Sequence, residues 1–336
     1  MARALRIQYP GALYHLTNRG NERRSIFADD IDRKQFLLIL SRSIEIYNVS
    51  LYSFVLMQNH WHMLVETNLG NLGEFMRHFN ITYTSYYNRR HNRSGHLYQG
   101  RYKSFLIEKE LYLSVVSRYI HLNPVKTVSL RKMDMGEKLK FLDKYKWSSL
   151  PGYFAPEKRY DFLQYDVVLA EYGSDNRNGR SNYQRQIADD LVTGLAIRDK
   201  IVGQSIFGSE TFINWVKENF VGGKQQREIP GINKIRSYLN SDLLLPLLLE
   251  ELQLESVLSA TGTARQILMA MLYKYTGLNN REIGEMFTVD YSTVSQTRKR
   301  LRENVRKNEK TRARLLQIEQ RLSSVLVAAS SSRIKI

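Results

Sequence analysis

The apolar and aromatic run from Ala12 to Asn18 reads as a strand that breaks into a basic turn, Arg19-Gly20-Asn21-Glu22-Arg23-Arg24. Asp29 and Asp30 then offer N-caps for a helix to about Tyr47, in which Phe36, Leu37, Leu40, Ile44 and Tyr47 recur at helical spacing. Leu51 to Met57 and His60 to Thr67 are rich in aromatic and β-branched residues and are separated by the polar pair Gln58-Asn59, which predicts two strands and a tight connection. Asn71 to His91 reads as a helix and Arg101 to Glu108 as a fourth strand. Lys109 to Asn123 is again helical, with Leu113, Val116 and Ile120 on one stripe and Pro124 as its stop. The order βαββαβα predicts an α+β fold of ferredoxin-like type, an antiparallel sheet backed by helices.

Beyond Met133 the pattern weakens, and polar connections at Gly173 to Ser181 and Gly222 to Arg227 bracket an expected all-helical middle region. From Gly231 onward the pattern is helical. Thr263 to Tyr275, Asn280 to Phe287 (capped by Asn279 or Asn280) and Tyr291 onward are spaced as a helix-turn-helix. The expected division is 1–130, 131–230 and 231–336.

Composition narrows the function. A length of 336 residues suits two or three domains. Fifty Lys and Arg against thirty-three Asp and Glu leave a charge of +17, which favours a polyanionic partner. The absence of cysteine excludes disulfides, thiolate metal sites and cysteine nucleophiles. Met1 to Gly11 has no apolar stretch, and the apolar run Leu243 to Leu249 is interrupted by Pro246, so neither a signal peptide nor a membrane span is expected, and a cytoplasmic location is.

Two segments carry candidate chemistry. His60 and His62 alternate within a strand pattern and therefore project from one face, where both imidazoles could grip a divalent ion, although two partly exposed polar strand residues would look the same. Tyr119 and Asn123 are four apart on a helix and share a face. A tyrosine suits an enzyme that breaks a nucleic-acid strand and keeps the phosphodiester energy in a phosphotyrosine, with an ion polarising the phosphate. With twenty-one tyrosines in the chain, a packing role is the competing reading. Tyr112, one heptad earlier on nearly the same helical face, is a rival nucleophile, and Glu66, on the His60 face, is either a fourth ligand or a solvated carboxylate.

Met57-Gln58-Asn59-His60-Trp61-His62-Met63-Leu64-Val65 resembles the histidine–hydrophobic–histidine strand of the HUH single-tyrosine transposases of insertion sequences, and among them the REP-associated tyrosine transposases. Arg118-Tyr119-Ile120-His121-Leu122-Asn123-Pro124-Val125 is similar to their tyrosine helix, and Asn18-Arg19-Gly20-Asn21, Gly100-Arg101-Tyr102-Lys103 and Lys146-Trp147-Ser148-Ser149 match further motifs. The resemblance implies that His60, His62 and Asn123 hold Mg²⁺ or Mn²⁺. It also implies that Tyr119 attacks single-stranded DNA beside a hairpin, leaving a 5′-phosphotyrosine and a 3′-OH. It favours Tyr119 over Tyr112, which lacks the amide four residues on. His121 departs from the acidic residue expected there, on the side of the helix away from Tyr119. Seventeen basic against nine acidic residues in 1–130 support DNA contact, with Arg19, Arg101 and Lys103 as candidates. Tyr83, Tyr86 and Tyr87 with Arg89, Arg90 and Arg93 read either as a base-stacking platform or as helix packing.

Toward the C-terminus, Asp290-Tyr291-Ser292-Thr293-Val294 resembles the Asp-His-Ser-Thr-Val signature of the DNA-binding domain of bacterial replication initiators, with Tyr in place of His. That resemblance implies base contacts from Asp290, Tyr291 and Thr293. Ser292, Gln296 and Arg298 fall near the start of the expected recognition helix, and Arg298 to Arg314, with Arg300 among nine basic residues, form a stripe for duplex phosphates. The expected function is a transposase-like DNA nickase and strand transferase, monomeric or homodimeric. The rivals are a DNA-binding regulator with a relic HUH site and a metal phosphodiesterase that uses water.

Overall fold

The computed structural model describes residues 6–127, 130, 132–195, 197, 201–202, 205–221, 241–276, 278 and 280–331. The expected connection at Gly222 to Arg227, the alternative cap Asn279 and the expected boundary positions 131, 230 and 231 lie outside the described residues. Among the described residues two compact units are formed, one from Arg6–Ile197 with Ser205–Phe212 and the other from residues 201–202 and those from Ile213 onward.

In the first unit, strand β1 (Ala12–Arg19) leads into helix α1 (Asp30–Tyr47), whose first turn is capped by Asp29 accepting from the N–H groups of Ile31 and Asp32. Strands β2 (Val49–Leu56) and β3 (His60–Thr67) follow, then helix α2 (Leu72–Arg90), strand β4 (Lys103–Ile107) and helix α3 (Lys109–His121). The strands lie in the order β2-β3-β1-β4, with every neighbour antiparallel, which is the ferredoxin-like arrangement. A two-residue strand β5 (Ile206–Phe207) adds itself parallel to β4. The sheet is therefore not wholly antiparallel as expected, because two residues are too short to leave a period-two signature.

Strand alternation sorts the sheet into two faces. Tyr14, Leu16, Trp61 and Met63 are buried on one face, where the Trp61 ring lies 6.1 Å from both Phe36 of α1 and Phe79 of α2. The opposite face carries His60, His62, Leu64 and Glu66 of β3, and α3 packs across β1, β2 and β3. The helix that carries the candidate tyrosine thus covers the sheet face that carries the histidine pair.

Helices α4 (Met135–Lys144), α5 (Leu150–Phe154), α6 (Asp166–Ala170) and α7 (Arg177–Thr193) belong to the same unit and back α3. Ser117 Oγ lies 3.1 Å from the Tyr183 hydroxyl, and Arg118 Nε donates to Asp190 at 2.6 Å. The segment Lys146-Trp147-Ser148-Ser149 runs along the outer edge of β2. Leu56 N donates to Trp147 O at 2.8 Å and Ser149 N to Phe54 O at 3.1 Å, so this motif closes an edge that would otherwise expose unpaired backbone groups.

Helix α8 (Glu210–Val216) spans the end of the first unit. The second unit contains α9 (Ser241–Glu251), α10 (Gly262–Tyr275), α11 (Asn280–Met286), α12 (Tyr291–Lys307) and α13 (Glu309–Ser331). Leu248, Leu268, Leu272, Ile283, Phe287, Val294, Leu301 and Ile318 share its core. The turn between α11 and α12 is tight because a Cβ on Gly284 would stand 2.5 Å from Val289 O, so only glycine permits this approach. Thr288, at φ 52°, takes the left-handed conformation within the turn.

Candidate active site

The site is assembled from three elements on the α3 side of the sheet. In the antiparallel register, Thr17 stands opposite His62 and Arg19 opposite His60, so β1 and β3 present their side chains to one region. The ring centroids of His60 and His62 are 5.2 Å apart, as expected for neighbours two apart on one strand. From above, the Tyr119 ring meets the His62 ring edge-on at 6.4 Å. Helix α3 holds it there because Leu113, Val116 and Ile120 are buried on the same helix and Pro124, which lacks an N–H, begins the short 3₁₀ turn that follows. Tyr119 and His62 are 5% and 4% exposed. His60 is only half-buried.

Asn123 lies just past the end of α3, where its Nδ2 donates to the carbonyls of Tyr119 at 2.9 Å and Ile120 at 3.2 Å. Both amide hydrogens are thereby directed at the backbone, and the oxygen is the atom left to act as a ligand. Among the described residues, no group of three or more His, Cys, Asp or Glu side chains is placed to hold an ion. Glu66 is engaged elsewhere. It accepts from Lys109 Nζ at 2.6 Å and from the Tyr52 hydroxyl, so the carboxylate serves an ion pair and not the histidines.

The rival tyrosine faces away. Tyr112 packs on Phe207 of β5 with ring centroids 4.2 Å apart, whereas Tyr119 is against the imidazoles. Near-equivalence on a helical wheel does not survive here because a seven-residue step drifts around the helix by about 20° and climbs about 10 Å along it. His121 points to the back of α3, as expected, between Tyr183 Oη and Ser149 Oγ at 2.8 Å each.

Arg19 and Lys103 are exposed on the histidine face, Lys103 pairing in register with Thr17, and Arg101 is exposed just before β4. The turn after Arg19 is fixed by Gly20, where a Cβ would fall 2.1 Å from Arg24 O. The tyrosines of α2 are not arranged as a base-stacking platform. Tyr83 is fully buried and donates to Ile26 O at 2.7 Å, Tyr87 is buried, and Arg90 pairs with Asp29 and Asp32, so this group secures α2 to α1.

In the second unit, Asp290 caps α12 by accepting from Ser292 Oγ at 2.6 Å and from the N–H groups of Thr293 at 2.9 Å and Ser292 at 2.8 Å, and these bonds, the Ser292 hydroxyl foremost, hold its carboxyl below the usual range. Tyr291 is 66% exposed, and Ser292, Gln296 and Arg300 are exposed with Thr293 half-buried. Arg298 turns inward. Its guanidinium lies over the Tyr273 ring at 3.1 Å and donates to Asn280 Oδ1 at 2.8 Å.

Sequence reasoning missed three residues. His15, on β1, has its Nε2 2.8 Å from His62 Nδ1, and its ring lies 5.8 Å from that of Tyr119. Asn59 places Oδ1 2.8 Å from His60 Nδ1. Lys126, on the 3₁₀ turn, sets Nζ 4.0 Å above the centre of the Tyr119 ring. The alternation of β1, which puts His15, Thr17 and Arg19 on one face, was the signal for the first. Lys126 follows a proline turn whose direction no periodicity encodes.

Residues 8–123 match the profile of the family described as Transposase IS200 like. Among solved structures, the chain is similar to a REP-associated tyrosine transposase bound to a REP hairpin, at 14% identity and a TM-score of 0.38 over 53% of this chain and 97% of that one. No curated protein matches the sequence.

Proposed function

We propose that the chain, whose residues 8–123 match the IS200-like transposase profile, cleaves and rejoins single-stranded DNA next to hairpins, with Tyr119 as nucleophile. The observation that carries this reading is the placement of the Tyr119 ring edge-on against the His62 imidazole, on the sheet face that also bears exposed Arg19 and Lys103. The phenol oxygen of Tyr119 attacks the phosphorus, the bond to the 3′-oxygen breaks, and that oxygen leaves as a 3′-OH after taking up a proton. The energy of the diester is retained in the phosphotyrosine, so the reverse reaction can rejoin a strand.

Two imidazole nitrogens and an amide oxygen would serve as donors to Mn²⁺ or Mg²⁺, the amide supplying the oxygen that these hard ions favour. His60, His62 and Asn123 would hold the ion, which supplies Lewis acidity to the scissile phosphate when bound. Arg19, Arg101 and Lys103 guide the backbone of the strand toward this face. In the second unit, α11 and α12 serve as a helix-turn-helix that reads duplex DNA. Tyr291, Ser292, Thr293 and Gln296 meet the bases, Asp290 shapes the start of the helix, and Arg300 contacts phosphate. Among the described residues, no helix is long and apolar enough to cross a membrane. Action in the cytoplasm, as monomer or homodimer, is part of the same proposal.

Hairpin-bearing single-stranded DNA incubated with Mg²⁺ or Mn²⁺ and run on a denaturing gel tests the assignment. A covalent adduct with the wild type and Tyr112→Phe, and none with Tyr119→Phe, is the expected result. An adduct that survives Tyr119→Phe overturns it, and duplex binding without any adduct leaves a DNA-binding regulator.

A further inference from the structure

Both imidazoles assigned to the ion are held from behind at Nδ1. The Asn59 amide is oriented by Nδ2 donating to Arg23 O at 2.9 Å, which leaves Oδ1 facing His60 Nδ1 at 2.8 Å. An amide oxygen only accepts, so His60 carries its proton on Nδ1 and its lone pair on Nε2. At His62 the partner is another imidazole. His15 Nε2 stands 2.8 Å from His62 Nδ1, and the two rings stack with centroids 5.1 Å apart and planes at 24°. Two imidazole nitrogens at that separation share one proton, so one of them donates and the other accepts.

We propose that His15 is a positioning residue that accepts the Nδ1 proton of His62 and thereby fixes His62 in the tautomer whose Nε2 lone pair is presented to the site. Were His15 the donor, the lone pair of His62 would be spent at Nδ1 and its remaining proton would sit on Nε2, which could then bind no ion. The arrangement at His60, whose tautomer Asn59 dictates, shows which tautomer the pair requires. His15 is itself restrained. It is buried at 4% exposure, Phe105 stands opposite it in the β1–β4 register with ring centroids 5.6 Å apart, and Tyr119 meets it edge-on. Such partners orient a ligating imidazole, and their loss costs about 10- to 100-fold in metal affinity. The inference rests on His60 and His62 being ligands, but the tautomer can be read without any ion.

The full-length chain labelled with ¹⁵N in its histidine rings, examined by NMR without metal, reports which nitrogen of His62 bears the proton; His62→Gln identifies the signals. Mn²⁺ binding followed by electron paramagnetic resonance, in the absence of DNA, reports affinity. Wild type should show His62 protonated at Nδ1. His15→Gln, whose side-chain oxygen can accept the same proton, should keep that tautomer and bind Mn²⁺ within a fewfold of wild type. His15→Leu should move the proton to Nε2 and weaken Mn²⁺ about 10- to 100-fold while keeping the circular dichroism spectrum. A wild-type His62 protonated at Nε2, or a folded His15→Leu that binds Mn²⁺ as tightly as wild type, overturns the proposal. If His15→Leu does not fold, the wild-type tautomer and His15→Gln decide. A wild type that has the expected tautomer but binds no Mn²⁺ refutes the ligand assignment and leaves the role of His15 in fixing the tautomer standing.

Discussion

Lowering the pH from 8 to 5 should cost the first unit about 2 kcal/mol through His121 alone. His121 is fully buried, and burial pushes its imidazole down to about 3 from an ordinary value of 6.5. Its two nitrogens meet the hydroxyls of Tyr183 and Ser149, and burial drives the Tyr183 hydroxyl well above its ordinary value, so neither partner supplies a charge that could stabilise an imidazolium. The folded state therefore binds no proton here between pH 6.5 and 3, whereas the unfolded chain does. The contribution is complete above pH 6.5 and is lost as the pH falls below it, at up to about 1.4 kcal/mol per unit, which gives about 2 kcal/mol at pH 5. Urea titrations at pH 8, 7, 6 and 5, followed by tryptophan fluorescence, would measure the loss in wild type and in His121→Gln. The variant should be less stable at pH 8, because it disturbs a buried hydrogen-bonded group, and its stability should fall about 2 kcal/mol less on acidification. Parallel pH profiles for the two proteins would refute the reasoning.

Lys126→Met removes a cation 4.0 Å from the Tyr119 ring and should slow adduct formation roughly tenfold, about 1.4 kcal/mol, with single-strand affinity changed less than about twofold, as single-turnover gels and binding titrations would show. In the second unit, Arg298→Ala should destabilise the fold by about 1–2 kcal/mol in chemical denaturation, because it deletes the stack on Tyr273 and the bond to Asn280. Arg300→Ala should leave stability within about 0.5 kcal/mol and lower the salt slope of duplex binding by about 0.9, the value of one lost phosphate contact.

What the sequence revealed depended on the range of the interactions involved. Helices α1 and α2 could be read because one face of each is buried and burial leaves a period along the chain, whereas the strands, covered on both faces, were legible from their aromatic and β-branched content and the polar breaks between them. The cap at Asp29, the histidine alternation on β3 and the Tyr119–Asn123 spacing are local in the same sense. The pairing of His15 with His62 joins residues 47 apart, and it becomes visible only when the register sets Thr17 opposite His62. The inward turn of Arg298 has a similar origin. On a helix with nine basic residues nearby, charge suggests a phosphate contact, but Tyr273, contributed by a different helix, offers the guanidinium an aromatic face. Strand β5 was hidden by its length, and the edge-closing role of the Lys146-Trp147-Ser148-Ser149 motif by the fact that its partner is the backbone of β2.

Helix α3 has two working sides, and the second explains why the first can be accurate. Tyr119 and Asn123 serve the sheet side. Ser117, Arg118 and His121 serve the other, through Tyr183, Asp190 and Ser149. A nucleophile on a single amphipathic helix lying on a sheet could slide or roll by an ångström at little cost, since apolar contacts are not directional. Hydrogen bonds from the back of α3 are directional, and because they are buried, breaking one leaves a polar group without water to replace its partner. The helices between Met135 and Thr193 thus supply what the ferredoxin-like core lacks, a rigid backing that sets the height and rotation of Tyr119 above His62. On this argument a protein ending near residue 130 would keep every proposed reacting group and still lose their alignment. If the proposed function holds, the smallest unit that cleaves DNA is expected to extend through Phe212, where Ser209 N and Oγ bond the Glu108 carboxylate immediately before α3 and fix the start of the helix.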